Sequence, residues 1–467
     1  MSNGRLIRGG TVVDSTGMHK TDVRVGEDGT VREVAPGLVA MSGEEVYDAT
    51  SKLVIPGGVD AHTHLHLEVG DLRTSDDFAS GTMAAVMGGT TCVIEYVTPR
   101  QGEDPLAAVE YWRSLGESAC IDWSLHATFT SAVSSSVVAS LVEGGITSFK
   151  LYLAYSQLAI SDREAVQMLF AAKEHGAVVC FHCENGGAID VLIARALAEG
   201  RKGVPEHAST RPAILEAEAV NRVCSFAEIT EATVYLVHLS SALALENMMR
   251  AKDRGVHVLG ETCPHYLWLD RRKLEGEEGI CFMCSPPLRD KSDQDQLWNA
   301  LASGMLDTVA TDHCPFWTAD RKAGIFGKSH PADNFSEMPG GLPGIETRMA
   351  LMWQGVRAGL ITPMDWVRTC CEQPAKIFGL WPKKGSLAVG ADADLVVWDP
   401  NRPASLDYQS LHMATDHSPY QGWRVEGWPE LVLSRGRVVV HRGRFMGERG
   451  VGQFVPGRVK RVNPEGF

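Results

Sequence analysis

The chain lacks most of what would send a protein to a membrane, to nucleic acid or into an oxidising compartment. No apolar run reaches the roughly 20 residues that a spanning helix needs. The N-terminus MSNGRLIRGG lacks the charged-then-apolar layout of a secretory leader, so a cytosolic (cytoplasmic) protein is expected. Basic residues are scarce: 44 Lys and Arg stand against 58 Asp and Glu, a net charge of −14, and no basic tract is longer than RVKR (Arg458–Arg461). Such a chain is poorly built to grip a phosphate backbone, and neither nucleic acid nor membrane is expected as a partner. Internal repeats, low-complexity segments and a glycine-rich phosphate loop are also missing. The cysteines number eleven, an odd count that argues for reduced thiols over a disulfide framework. Two Cys-x-x-Cys pairs, Cys180/Cys183 and Cys281/Cys284, sit in strand-like sequence (VVCFHC, ICFMC). Residues three apart on a strand face opposite sides, so these read as core cysteines, not metal ligands.

What is present falls into two textures. Residues 1–55 read as short strands with turns, such as LIRGGTVVD and DVRVGEDGTVREVA, and residues 386–450 answer in the same style with SLAVGADADLVVWDP and ELVLSRGRVVVHRGRF. The alternation and turns suggest antiparallel strands, and neither end has enough of them alone, so the two ends are expected to pair into one small β-sandwich domain. Between them, over residues 56–385, apolar β-rich runs alternate with Ala/Leu/Glu-rich helical stretches. The runs are the one before His62, then Thr90–Val97, Ile121–Phe129, Ile146–Leu153, Ala177–Asn185, Ala232–Ser240, Gly255–Cys263 and Asp307–Phe316. Eight alternating strands and helices predict a closed (β/α)8 TIM barrel, with a doubly wound open sheet as the runner-up. Trp317–Pro343 is the longest stretch with weak signal, a loop of the length that usually serves function.

The stretch VIPGGVDAHTHLH, Val54–His66, organises the rest. Side chains two apart on an extended chain share a face, so His62 and His64 project together as half of a metal site. In such a barrel the chemistry lies at the C-terminal strand ends, and those ends carry His62 and His64, Lys150, His182, His238 and Asp312. Four histidines and a carboxylate suit zinc or a similar divalent ion. Lys150 is the odd member, because an ammonium beside a dication is repelled. Burial there favours the neutral amine, which can take up carbon dioxide to give a carbamate, an anionic ligand. His126, inside the third strand, reads as a satisfied core histidine, and His313 should face away from Asp312.

The motifs PGGVDAHTH (Pro56–His64), GGTT (Gly88–Thr91), SFKLYLAY (Ser148–Tyr155), FHCENG (Phe181–Gly186), YLVHLS (Tyr235–Ser240), ETCPHYL (Glu261–Leu267), CSPPLR (Cys284–Arg289), ATDHCPF (Ala310–Phe316) and PGGLPGIE (Pro339–Glu346) run in order along nearly the whole chain. In them the sequence resembles the cyclic amidohydrolases of the amidohydrolase superfamily, nearest the dihydropyrimidinase and hydantoinase branch. The resemblance implies two divalent ions, zinc or else manganese, cobalt or iron. One would be held by His62, His64 and Asp312 and the other by His182 and His238, with carboxylated Lys150 (N6-carboxylysine) and a hydroxide bridging them. It implies that Asp312 carries the proton, that Tyr155 donates to the oxyanion, and that Ser285 and Gly340 contact the imide ring through their backbone. Relatives often have Asn where this chain has Gly340, which should loosen that loop. Leu65, Tyr152 and Leu158 correspond to a hydrophobic lid over the ring substituent.

The resemblance also narrows the substrate. Dihydroorotases carry an arginine where this chain has His66, and allantoinases generally lack the counterpart of Tyr155. A small cyclic ureide without an anionic substituent is therefore expected, a dihydropyrimidine or a 5-substituted hydantoin, opened to an N-carbamoyl amino acid. An allantoinase-like or other cyclic-imide hydrolase is the alternative among enzymes. A non-catalytic scaffold is the alternative outside them, although scaffolds of this branch lack several of the ligands present here. A homotetramer is expected, with the polar tail, residues 451–467, lying across a neighbouring subunit.

Overall fold

The β-branched runs of the central region become eight parallel strands in the computed structural model, which describes residues 4–100, 102–326 and 332–459. They are β1 (Gly58–Thr63), β2 (Thr90–Val97), β3 (Asp122–Thr128), β4 (Ser148–Tyr152), β5 (Val178–His182), β6 (Val234–Leu236), β7 (Val258–Thr262) and β8 (Thr308–Val309), hydrogen-bonded in chain order. Helices follow the strands and cover the outside of the barrel while side chains fill its interior, so both faces of each strand are buried, alternation of apolar and polar residues is lost and the strands read as continuous hydrophobic runs. The helices start where sequence chemistry allows: Asp77 and Ser80 form a capping box ahead of Phe78–Met87, as do Ser161 and Glu164 ahead of Asp162–Glu174.

The seam between β1 and β8 closes by an isolated bridge, a backbone hydrogen bond and a buried arginine, without a continuous ladder. Thr63 bridges His313, the His64 N–H donates to the His313 carbonyl at 2.9 Å, and the fully buried Arg348 donates to the carbonyls of Val59 at 3.1 Å and Val309 at 2.9 Å. The fold is therefore a barrel, not the open sheet.

The chain termini form two further sheets that share a core of Ile7, Val12, Val23, Val25, Val31, Val54, Leu395, Val397, Leu431 and Leu433, contributed by both ends. Their strands are not all antiparallel. Arg5–Arg8 pairs in parallel with Glu45–Asp48, and Thr11–Asp14 with Leu53–Pro56, because the chain crosses back before entering β1 in the direction the barrel needs.

Two further expectations change. The ICFMC segment is not a strand but ends a 3-10 helix, Glu277–Phe282. The described part of the tail, residues 451–459, lies on its own barrel. β3 pairs with β4 only through Ala127 and Thr128, which leaves the start of β3 with an open edge. The tail fills it: Trp123 N–H donates to the Gln453 carbonyl, Val455 N–H to the Trp123 carbonyl, and Phe454 packs on the Trp123 ring at 5.2 Å. Residues 460–467 lie outside the described residues. All eleven cysteines are free thiols, and no described helix is long and apolar enough to cross a membrane.

Candidate active site

The six ligand candidates come from five strand ends and meet at the C-terminal mouth of the barrel, every one buried. They fall into two groups. His62 Nε2, His64 Nε2 and Asp312 Oδ1 lie 3.1–3.2 Å from one another. Beside them His182 Nδ1 faces His238 Nε2 at 2.9 Å, and the His62 and His238 rings are 5.4 Å apart. Lys150 Nζ lies 4.6 Å above the Tyr96 ring and 5.0 Å from that of Tyr152, and burial lowers its pKa, which favours the neutral amine.

The first group fits a cation on its own chemistry. Glu261 accepts from His62 Nδ1 at 2.7 Å, which leaves a lone pair on His62 Nε2 pointing at a carboxylate oxygen. Two acceptors face each other across a distance typical of atoms bound about 2 Å from one ion. Burial opposes a proton on His62, yet Glu261 and then Asp312 draw its pKa up to about 9, so with no ion bound a proton takes the cation's place at Nε2 and the site demands positive charge. Burial also works against charge on Asp312, but His62 and His64 hold it well below the ordinary carboxylate range. His64 is pushed down to about 4 and His238 well below the ordinary imidazole range, both chiefly by burial, and each has an Nδ1 with no partner among the described residues.

Backbone strain gathers at the same place. Eight described non-glycine residues have positive φ, and four of them, His66 (+67°), Tyr155 (+69°), His238 (+41°) and Asp312 (+49°), stand at this mouth. Such conformations persist where surrounding structure enforces them, commonly at functional sites.

The other expected residues divide. Tyr152 stacks on His182 with ring centroids 5.6 Å apart, and Tyr155 lies 5.2 Å from His182. Tyr155 is partly exposed at the mouth, but loss of water around its phenol outweighs the opposing pull of Arg211 and pushes it up to about 12, so it keeps its proton. Ser285 and Gly340 adjoin, a Cβ on Gly340 falling 3.7 Å from the Ser285 hydroxyl. Leu158 is half-buried in the turn after Tyr155. Leu65 is different: it is wholly buried and packs on Gly81 in the helix Phe78–Met87, so it belongs to the core and not to an exposed lid. His126 is the satisfied core histidine expected, bonded to Ser148 Oγ and the Ala61 carbonyl. His313 turns away to Asp76 Oδ2 at 3.0 Å, His265 sits in the short helix Pro264–Trp268, and His66 is near Arg73 at 3.3 Å.

Several buried carboxylates had no role in the sequence reading. Glu261 bonds His62; Glu184 accepts from His182 Nε2 at 2.9 Å and is paired with Arg211 at 2.9 Å. Asp60 accepts from Thr311 N–H and Oγ1, fixing the residue before Asp312, while Glu95 accepts from Thr63 Oγ1 and the Leu65 N–H behind His64. Their signal was present: an acid inside an apolar strand run must have a partner.

Comparison with known proteins finds relatives along nearly the whole chain. The chain is 41% identical over 459 residues to a D-hydantoinase of Geobacillus stearothermophilus, covering 97% of this chain and 96% of that one. It is 40% identical over 460 residues to a D-phenylhydantoinase of Escherichia coli, with 96% and 97% covered. Among solved structures, a dihydropyrimidinase from Brevibacillus agri superposes with a TM-score of 0.94 at 38% identity, covering 98% of this chain and 99% of that one. Residues 53–439 match the amidohydrolase family, and with the barrel, the clustered ligands and these relatives the chain belongs to that family.

Proposed function

We propose that the protein is a metal-dependent cyclic amidohydrolase that opens dihydropyrimidines or 5-substituted hydantoins to N-carbamoyl amino acids. The observation that carries the reading is the packing of His62 Nε2, His64 Nε2 and Asp312 Oδ1 within 3.2 Å of one another, with His182 and His238 alongside. The names of its relatives supply the substrate class. His62, His64 and Asp312 would hold one divalent ion, zinc by preference, and His182 and His238 a second, with Lys150 carboxylated by carbon dioxide as the shared ligand. When bound, such ions polarise a carbonyl and make water acidic enough to attack an unactivated amide.

The chain's own groups would do the rest. Asp312 meets both histidines through Oδ1, so Oδ2 is the oxygen that takes the water's proton and returns it to the leaving ring nitrogen. Tyr155, kept protonated, donates to the oxygen that gains charge as the carbonyl carbon becomes tetrahedral. Ser285 and Gly340 would align the ring through backbone groups, and Tyr152 would flank the substituent. The division at residues 55, 385 and 450 into barrel, split β-sandwich and tail is proposed with it, as is a cytoplasmic homotetramer. Exposed Phe170, Val191, Ile214 and Ile229 on three outer helices suit self-association, which light scattering tests.

The test of function is ring opening of dihydrouracil and of a 5-substituted hydantoin by the purified protein, with and without zinc or manganese and bicarbonate. Turnover that needs metal and vanishes in Lys150→Ala supports the reading. Two bound metals with no turnover of either ring would remove the substrate assignment, and a folded protein that binds no metal would remove the enzyme.

A further inference from the structure

Glu261, on β7, has no exposed surface, and its two oxygens gather three donors. Oε1 accepts from His62 Nδ1 at 2.7 Å and also from the backbone N–H of His238 at 2.9 Å; Oε2 accepts from the Tyr235 hydroxyl at 2.8 Å. The two histidines belong to different halves of the site. Glu184, by comparison, serves His182 alone and has its charge matched by Arg211. Among the described residues Glu261 pairs with no lysine or arginine, only with His62. Its charge is thus directed into the site.

We propose that Glu261 is a positioning residue that couples the two metal-binding halves. Through His62 it fixes the tautomer that turns the Nε2 lone pair towards His64 and Asp312. Through His238 it holds a backbone at φ +41°, a conformation a histidine seldom adopts, from which the ring reaches His182 at 2.9 Å. Loss of this one carboxylate should therefore weaken both halves, whereas loss of Glu184 should weaken one. The inference rests on the two-ion reading of the site and not on the substrate.

The experiment is chelator-competition titration of the metal-freed protein with zinc, and with cobalt for its visible absorption, in bicarbonate. The chains compared are the unaltered protein, Glu261→Gln, Glu261→Ala and Glu184→Ala, each checked for its unfolding midpoint. Expected for Glu261→Ala is a fall of about 10–100-fold in affinity for both equivalents. Glu261→Gln keeps the size and one acceptor oxygen, should fold where the alanine variant does not, and should show a smaller fall for both with an altered cobalt spectrum. Glu184→Ala should lose affinity for one equivalent. Folded Glu261 variants that bind both equivalents as the unaltered chain does, or weaken only one, overturn the coupling. An unaltered chain that binds no metal overturns the two-ion reading beneath it.

Discussion

Two clusters of buried charge lie at opposite ends of the barrel strands, and they are built to opposite rules. At the N-terminal end of β3, Asp122 joins Asp392 and Asp394 around the buried Lys384, whose Nζ is 2.6–2.8 Å from all three. Arg435 approaches Asp122 at 3.2 Å, Lys383 approaches Asp392 at 3.9 Å, and the Gln453 N–H donates to Asp122. Three acids thus meet three bases, and they tie β3, the terminal sheets and the tail together. At the other end Asp312 and Glu261 make no ion pair with a described lysine or arginine, and lone pairs face one another. A closed charge set gives stability; an open one is shaped for something added. In barrels of this type the first belongs at the bottom and the second at the top.

The widest separation between the two should come from Asp312→Asn. Asparagine tolerates the left-handed backbone at this position, so the fold should survive. Loss of the proposed proton carrier should lower the rate of hydantoin opening by about 10²–10⁴-fold, while the unfolding midpoint of the metal-freed protein falls far less than it does on loss of Lys384. If activity and stability fell together, the contrast between the ends would be broken. Lys384→Met is the reverse experiment. Removing the one base that all three acids share should destabilise the protein by about 3–5 kcal/mol in urea unfolding, while turnover per folded molecule stays as it was.

Acid should act on the top cluster through Glu184. Burial opposes its charge, but Arg211 and the hydrogen bond from His182 bring its pKa down from 4.5 to about 2. A carboxyl with a depressed native value adds stability that is complete above about pH 4.5 and is lost as pH falls towards 2. Linkage puts that contribution on the order of 3 kcal/mol. Urea unfolding of metal-free protein at several pH values should show this acid slope, and Arg211→Met should flatten it by removing the cause. A slope unchanged in Arg211→Met would mean that other carboxyls carry it.

Much of this was legible in the sequence because strand periodicity and strand ends are local properties. His62, His64, Lys150, His182, His238 and Asp312 could be placed from their positions at the ends of apolar runs. Glu261 could not be given a role, since its bond to His62 joins residues 199 apart, and which carboxylate meets which ring nitrogen depends on register between strands. The resemblance assigns Leu65 to the lid, yet the chain turns at His66 and the Leu65 side chain goes into the core against Gly81. Polar composition suggests that the tail lies on a neighbour; what decides the course of its described part, residues 451–459, is the open edge of β3, a feature of strand splay that composition does not carry.

The smallest effect expected is at Gly340, where the loop proposed to contact the ring can be tightened without touching either cluster. Gly341 beside it has φ +146° and a Cβ there would fall 2.3 Å from the Cys314 carbonyl oxygen, so that position needs glycine. Gly340 lacks a positive φ, and a Cβ there would meet Cys284 and Ser285 atoms only at 3.7 Å, ordinary contact. Gly340→Ala should therefore remove freedom from the unfolded chain and stabilise the protein by about 0.4–1 kcal/mol. If backbone groups of this loop align the ring, KM for a hydantoin should fall modestly with kcat little changed, because a stiffer loop costs less to order around substrate. Unchanged KM with the expected gain in stability would place the loop outside the binding surface, and a rise in KM would show that the loop works by yielding.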